Sequence, residues 1–470
     1  MKTTFIRNFS FTFILLFFLM NSATAQTSDK MDWWKDAKFG MFMHWGLYSQ
    51  TAGYWNGHKA VGNEHFMIHE KISLKEYGTI AEDFNPVNFD AEKWVLTAKE
   101  AGMKYLIITS KHHDGFAMFD SPSNDYNIKK KTPYGKDPMK ELVDACHKHN
   151  LKFGFYYSLG RDWEDPDVAT NWPHKGGRSN LVDYPNEDIK VYSRYFERKV
   201  KPQIKELLTQ YGKIDVIWFD TPELISPEES KELRELILNI QPNCIINSRI
   251  KHGFGDYEVK EQKIVEGLEV EPWEACITMS KNWGYIEYDD NYKSSELMLR
   301  QLLEIVSKGG NLLLNNGPTG KGEITPSAQE KLAEMGVWLK QNSEGIYGST
   351  PWKIQKELLP NVVVTETVDV NETESTMKDA VNDATSKVII PEVRFTKKND
   401  NIYAFVCSFL DKEVLIKSFS KNKNTKVKGV QLIGSLEKLK WTQNGQGLKI
   451  EMPIYSDKEI PITSFRIQLK

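Results

Sequence analysis

Asp220 closes the apolar run Val216-Ile217-Trp218-Phe219. On a β-strand, that carboxylate leaves the sheet at the strand's carboxyl end beside an indole, where a glycosidase nucleophile would attack an anomeric carbon. Thr221-Pro222 follows, so capping a loop or a helix start is an equal use for the same side chain. Such chemistry needs a second carboxyl group, and Glu258, Glu261, Glu266, Glu269 and Glu271 lie in one stretch. Most surface glutamates are solvated, and residue type and spacing leave the choice among them open.

Imidazoles mark two more strand ends: His44 after Phe39 to Met43, and His112-His113-Asp114-Gly115 after the run that ends near Thr109. One such histidine is usually structural, whereas three at two strand ends of one sheet point to a polar ligand. Adjacent residues at the end of a strand face opposite ways, so the His112-His113 pair predicts hydrogen bonding to a ligand and no metal site. Tyr156-Tyr157 and Asn247-Ser248-Arg249 end further apolar runs. Trp45, Trp55, Trp218 and Trp283 fit either the core or a wall that packs on the C–H face of a sugar.

These residues need a frame that gathers strand ends. From Phe39 to about Pro326, short apolar runs alternate with helices whose apolar residues recur at i, i+3, i+4 and i+7. Asp90 opens one helix and Gly102 stops it. Asp137-Pro138 opens another, and Ser226-Pro227-Glu228-Glu229 reads as a capping box before a third. About seven strand-helix units predict an α/β fold, a (β/α)8-type barrel, whose strand ends converge on one mouth. A doubly wound open sheet is the alternative, but no G-x-G-x-x-G turn follows the first strand. After Pro351 period-2 segments take over, as in Ile402 to Phe409, and residues 352–470 read as a C-terminal antiparallel β-sandwich with Asn371 to Lys387 as a long exposed loop. The catalytic domain is then 26–351.

Of 470 residues, 40% are hydrophobic and 27% charged, a globular composition. A formal net charge of -3 provides no basic field, so nucleic acid is not an expected partner. The four cysteines lack paired spacing, which excludes a disulfide scaffold. Lys2 and Arg7, the apolar run Phe11 to Met20 and Ser22-Ala23-Thr24-Ala25 read as a signal peptide over 1–25. The chain is expected to be exported, periplasmic or secreted, starting at Gln26 and without a membrane anchor.

The motifs Phe39-Gly40-Met41-Phe42-Met43-His44-Trp45-Gly46, Lys111-His112-His113-Asp114-Gly115-Phe116, Trp218-Phe219-Asp220, Gly255-Asp256-Tyr257 with Glu261, and Gly309-Gly310-Asn311-Leu312-Leu313-Leu314-Asn315 resemble the α-L-fucosidases of glycoside hydrolase family 29. The resemblance runs in order from Trp33 to Pro351 and continues into the C-terminal segment. It implies retaining hydrolysis of terminal α-L-fucosides, with Asp220 as nucleophile and Glu261 as acid/base. His44, Glu64, His112, His113, Tyr156, Trp218 and Arg249 become fucose-binding residues, and Trp283 joins them from the loop over the pocket. It implies a fucosylated oligosaccharide or glycoconjugate as substrate and no metal or organic cofactor. One departure is Glu64-His65-Phe66, where the family often has Glu-Trp-Tyr. The alternatives are a galactoside-type retaining exo-glycosidase and a non-catalytic carbohydrate-binding barrel; the latter has no reason to keep acids at both 220 and 261.

Overall fold

The structure is a computed structural model describing residues 29–169, 180–359, 391–408, 412–421, 425–452 and 460–470. The expected signal peptide and the expected loop Asn371 to Lys387 lie outside the described residues.

Eight strands form one sheet: Phe39–Met43, Tyr105–Lys111, Lys152–Ser158, Val216–Asp220, Ile245–Ile246, Glu258–Glu261, Trp273–Thr278 and Asn311–Asn316. Every named pairing is parallel, and the first strand pairs with both the second and the last. A parallel bridge between Asn247 and Tyr257 joins the two outer strands, so the sheet curls into a barrel. Most strands are buried throughout, as expected of a parallel sheet covered on both faces.

The helix signals read from sequence are present. Asp90 accepts the backbone N–H of Lys93, Asp137 caps the helix Pro138–Lys148, and Ser226 and Glu229 form the reciprocal capping box of Pro227–Ile240. The strand-helix alternation lapses at two crossovers. After Ile245–Ile246 the chain makes only a short 3-10 turn, Ser248–Ile250, and after Glu258–Glu261 no helix precedes Trp273. Lys251, His252 and Gly253 all have left-handed backbone (φ 72°, 54° and 76°), which a right-handed helix cannot accommodate. The strand Trp273–Thr278 was not among the units counted from the sequence, and it contributes a buried glutamate beneath the site.

The C-terminal segment forms a five-stranded antiparallel sheet ordered Thr350–Leu358, Glu392–Lys398, Asn401–Cys407, Ile462–Leu469, Val427–Leu432, and a three-stranded sheet of Glu413–Ile416, Leu448–Glu451 and Trp441–Gln443. Phe395, Val406 and Phe465 of one sheet share a core with Val414, Ile416 and Ile450 of the other, as in a sandwich. The sandwich docks on the helices Ser295–Ser307 and Pro326–Asn342. Arg300 donates to the Cys407 carbonyl at 2.8 Å, Trp338 Nε1 donates to the Ile462 carbonyl at 3.2 Å, and Arg394 pairs with Glu304 at 3.2 Å. All four cysteines are free and buried.

Candidate active site

The strand ends converge on one cavity of about 550 Å³. Asp220, Glu261, His44, Glu64, His112, His113, Tyr156, Trp218, Arg249 and Trp283, the ten site residues expected from the sequence, all line it. Chain positions up to 239 residues apart are brought together because each sits on or just beyond the carboxyl end of a barrel strand, or on a loop folded over that end.

Asp220 is the last residue of its strand; three donors hold its carboxylate, and one imidazole nitrogen lies beside it. Arg249 Nη1 donates to Oδ1, the backbone N–H of Thr221 donates to Oδ1 at 2.8 Å, Tyr156 Oη donates to Oδ2 at 2.8 Å, and His113 Nε2 lies 3.7 Å from Oδ2. Thr221 turns its N–H back by adopting φ 52°, an uncommon conformation for a β-branched residue of the kind that gathers at functional sites. Burial by itself pushes the Asp220 carboxyl up, but the charge of Arg249 and the Tyr156 hydroxyl overcome it and hold the group below its ordinary value. The reading of Asp220 as a mere cap does not fit this enclosure.

Arg249 also reaches the second carboxylate. Its Nη2 donates to Glu261 Oε2 at 2.5 Å, so one guanidinium bridges Asp220 and Glu261. Glu261 terminates its strand at the barrel mouth. Glu258, Glu266, Glu269 and Glu271 are exposed, as Glu261 also is, but only Glu261 lines the cavity. The guanidinium lies 5.1 Å from the Trp218 ring, and Trp218 Nε1 donates to Glu274 Oε1 at 2.9 Å. Tyr105 donates to the other oxygen of Glu274 at 2.6 Å. Glu274 thus pins the indole from below, and burial raises its carboxyl to about 7.

Two buried partners set the imidazole tautomers. Asn315 Nδ2 donates to the Trp283 carbonyl at 2.8 Å, leaving its Oδ1 to accept from His44 Nδ1 at 2.6 Å, so Nε2 of His44 keeps a bare lone pair. Ser158 Oγ donates to the Arg161 carbonyl at 2.8 Å and therefore accepts from His113 Nδ1 at 2.6 Å, leaving Nε2 of His113 bare beside Asp220. Burial lowers His44 to about 4 against the pull of Asn315, and it also drives His112 and His113 well below the ordinary range. All three rings are neutral acceptors at neutral pH.

One expectation is corrected. His112 and His113 do not face opposite ways: their ring centroids are 4.0 Å apart and both line the cavity. The strand ends at Lys111, and the chain then turns, with the Gly115 N–H bonding back to the His112 carbonyl at 3.1 Å, so extended-chain alternation no longer applies. Gly115 makes the turn at φ 77°, where a Cβ would collide with the Asp162 carboxylate. The tryptophans divide as well. Trp45 is fully buried against Phe89 and Trp94, Trp55 packs on Phe66 near a short hairpin, and Trp218 and Trp283 line the cavity.

Glu64 enters on the 3-10 turn Asn63–His65, and its Oε2 is buried without a hydrogen-bond partner. Burial raises it to about 7 against the backbone N–H groups of Glu64 itself and Gly284. Arg161, Glu223 and Lys251 also line the cavity, with Arg161 paired to Glu223 at 2.8 Å. The sequence reading missed them, along with Ser158 and Asn315 as ring-orienting partners. Ser158 and Asn315 lie in the last two positions of their strands, and the rule that picked out His44 and Asp220 applies to them equally.

A site with two bridged carboxylates, bare imidazole acceptors and aromatic walls suits a small polyhydroxylated ring. The family model for α-L-fucosidase matches residues 18–344, and that for the α-L-fucosidase C-terminal domain matches 385–469. The chain is 30% identical over 464 residues to the tissue α-L-fucosidase of Bos taurus, covering 93% of this chain and 87% of that protein. Among solved structures, α-L-fucosidase isoenzyme 1 from Paenibacillus thiaminolyticus superposes with a TM-score of 0.77 at 30% identity, covering 94% of this chain and 99% of that one. An α-L-fucosidase from Lactobacillus casei in complex with α-L-fucose product superposes with a TM-score of 0.64 at 36% identity, covering 67% of this chain and 100% of that one.

Proposed function

This chain belongs to the α-L-fucosidase family, and from that membership we propose that it is a retaining exo-glycosidase that releases terminal α-L-fucose from oligosaccharides or glycoconjugates. The observation that carries the mechanistic reading is the single Arg249 guanidinium bridging Asp220 and Glu261. That bridge brings both carboxylates to one guanidinium in one pocket, as a two-carboxylate hydrolysis requires, and the retaining outcome is what the family membership implies.

In this reading Asp220, kept ionised by Arg249, attacks the anomeric carbon through Oδ2. That oxygen accepts one donor, whereas Oδ1 accepts two. Glu261 gives its proton to the departing glycosidic oxygen and then takes one from the water that cleaves the fucosyl-enzyme. The bare Nε2 atoms of His44 and His113 and the unpartnered Oε2 of Glu64 accept from sugar hydroxyls, His112 completes that polar side, and Tyr156 steadies Asp220. Trp218 and Trp283 supply apolar surface for the C–H face and the methyl group.

The test is to follow aryl α-L-fucoside hydrolysis by NMR, with aryl β-D-galactoside as the competing substrate. The expected result is a kcat/KM strongly favouring the fucoside and α-L-fucose as the first-formed product. A β-anomer formed first would refute the double displacement, and preference for the galactoside would refute the substrate class.

The leader over 1–25 supports export, periplasmic or secreted, and no helix among the described residues is long and apolar enough to cross a membrane. Sequencing the N-terminus of the protein recovered from its producing cells should give Gln26 first. We also divide the chain into a catalytic barrel over 26–351 and a sandwich over 352–470, whose first strand, Thr350–Leu358, begins two residues before that boundary.

A further inference from the structure

His65, on the 3-10 turn Asn63–His65, sits against the two strand-end imidazoles His112 and His113. The side-chain donor atoms of His65, His112 and His113 all lie within 4.8 Å of one another. Ring centroids are 5.0 Å apart for His65 and His113, and 6.0 Å for His65 and His112. We propose that these three imidazoles form a site for a borderline divalent transition-metal ion such as Zn²⁺, Co²⁺ or Cu²⁺, and that the ion and the sugar exclude one another from the pocket. The exclusion rests on the reading of this cavity as the fucose pocket; binding of the ion does not.

Three features support the site. His113 has its Nδ1 proton committed to Ser158, so its Nε2 lone pair faces Asp220 Oδ2 at 3.7 Å, two acceptors with no donor between them. His112 Nδ1 is buried without a hydrogen-bond partner. The cluster also lies between carboxylates: Asp220 on one side, and Glu64, whose Oε1 is 4.0 Å from His65 Nε2, on the other. Arg161 opposes a cation here, but its guanidinium is already paired with Glu223. Zinc-nitrogen bonds of about 2.0 to 2.1 Å in tetrahedral geometry set nitrogens roughly 3.3 to 3.4 Å apart, so the donors must close up by an ångström or so. His65 can supply that movement, because it is only half-buried on a short turn while His112 and His113 are enclosed. A three-imidazole set with a fourth position open to water or to Asp220 matches the ligand preference of these ions and not that of Mg²⁺ or Ca²⁺.

The experiment titrates the tag-free full-length protein with Zn²⁺ by calorimetry and with Co²⁺ by visible absorption. One ion per chain is expected, with a tetrahedral Co²⁺ spectrum, weakened at least about tenfold by His65→Trp or His65→Asn. L-Fucose should displace the ion, and Zn²⁺ should raise KM for an aryl α-L-fucoside without lowering kcat, with full reversal by EDTA. Failure to bind, or His65 variants that bind like wild type, overturns the site. Binding that depends on His65 but ignores fucose overturns the exclusion alone. If the protein hydrolyses no fucoside, the titrations still decide whether the imidazoles bind the ion, so that failure is distinct from this one.

Discussion

Replacing Arg249 with Met tests whether this guanidinium keeps the buried nucleophile ionised. Asp220 acts as a carboxylate, so activity falls as pH drops through its pKa, and anything that raises that pKa moves the fall to higher pH. In the wild type burial pushes the group up while Arg249 and Tyr156 more than compensate. Two unit charges about 4 Å apart at an effective dielectric of about 20 attract by about 4 kcal/mol, equivalent to about 3 pH units. Tyr156 and the Thr221 N–H remain in the variant, so the expected upward shift of the acid limb of kcat/KM is about 1 to 3 units. Arg249→Lys should fall between the two, because an ammonium keeps the charge but cannot bridge Asp220 and Glu261 together. The assay is kcat/KM against pH with an activated aryl α-L-fucoside, so that leaving-group protonation does not limit the rate, and a thermal melt checks that each variant is folded. An acid limb within about 0.3 units of wild type in a folded Arg249→Met protein would refute the reasoning.

Asp220→Gly should lower turnover by roughly three orders of magnitude or more, and azide should restore part of it while giving a β-fucosyl azide; wild-type rates would remove Asp220 from the nucleophile role. Glu261→Ala should slow natural oligosaccharides by about 10² to 10⁴ and activated aryl fucosides far less, with the exposed Glu258→Ala as a control close to wild type; the reverse pattern moves the acid/base to Glu258. Glu64→Gln should flatten the dependence of apo-protein stability on pH. The folded-state value of Glu64 is raised to about 7 from 4.5, so its stabilising difference is complete below 4.5 and is lost as pH rises towards 7, by about 3 kcal/mol in wild type. Melting curves of both proteins from pH 4 to 8 that stay parallel would contradict it.

The sequence by itself determined which residues sit at strand ends and what type each is. Asp220 after four apolar residues and His44 after Phe39 to Met43 were legible because a strand's burial pattern is local, and the caps at Asp90, Asp137 and Ser226 were legible for the same reason. What only the tertiary structure decided was which ends meet, and how they face. By residue type and spacing Glu261 could not be told from four neighbouring glutamates; the family resemblance singled it out, and the sixth strand, laid beside Trp273–Thr278, sets its end at the barrel mouth. Ser158 and Asn315 look like ordinary strand polar residues, and their function exists only in the hydrogen bonds that fix two imidazole tautomers. The rings of His112 and His113, expected to diverge, face one cavity because the strand gives way to a turn one residue earlier. Arg249 connects carboxylates 29 positions before it and 12 after it through the curl of the sheet. Side-chain periodicity records the burial of single elements, whereas the distances that make a site depend on register and curvature summed over eight strands, which no local pattern carries.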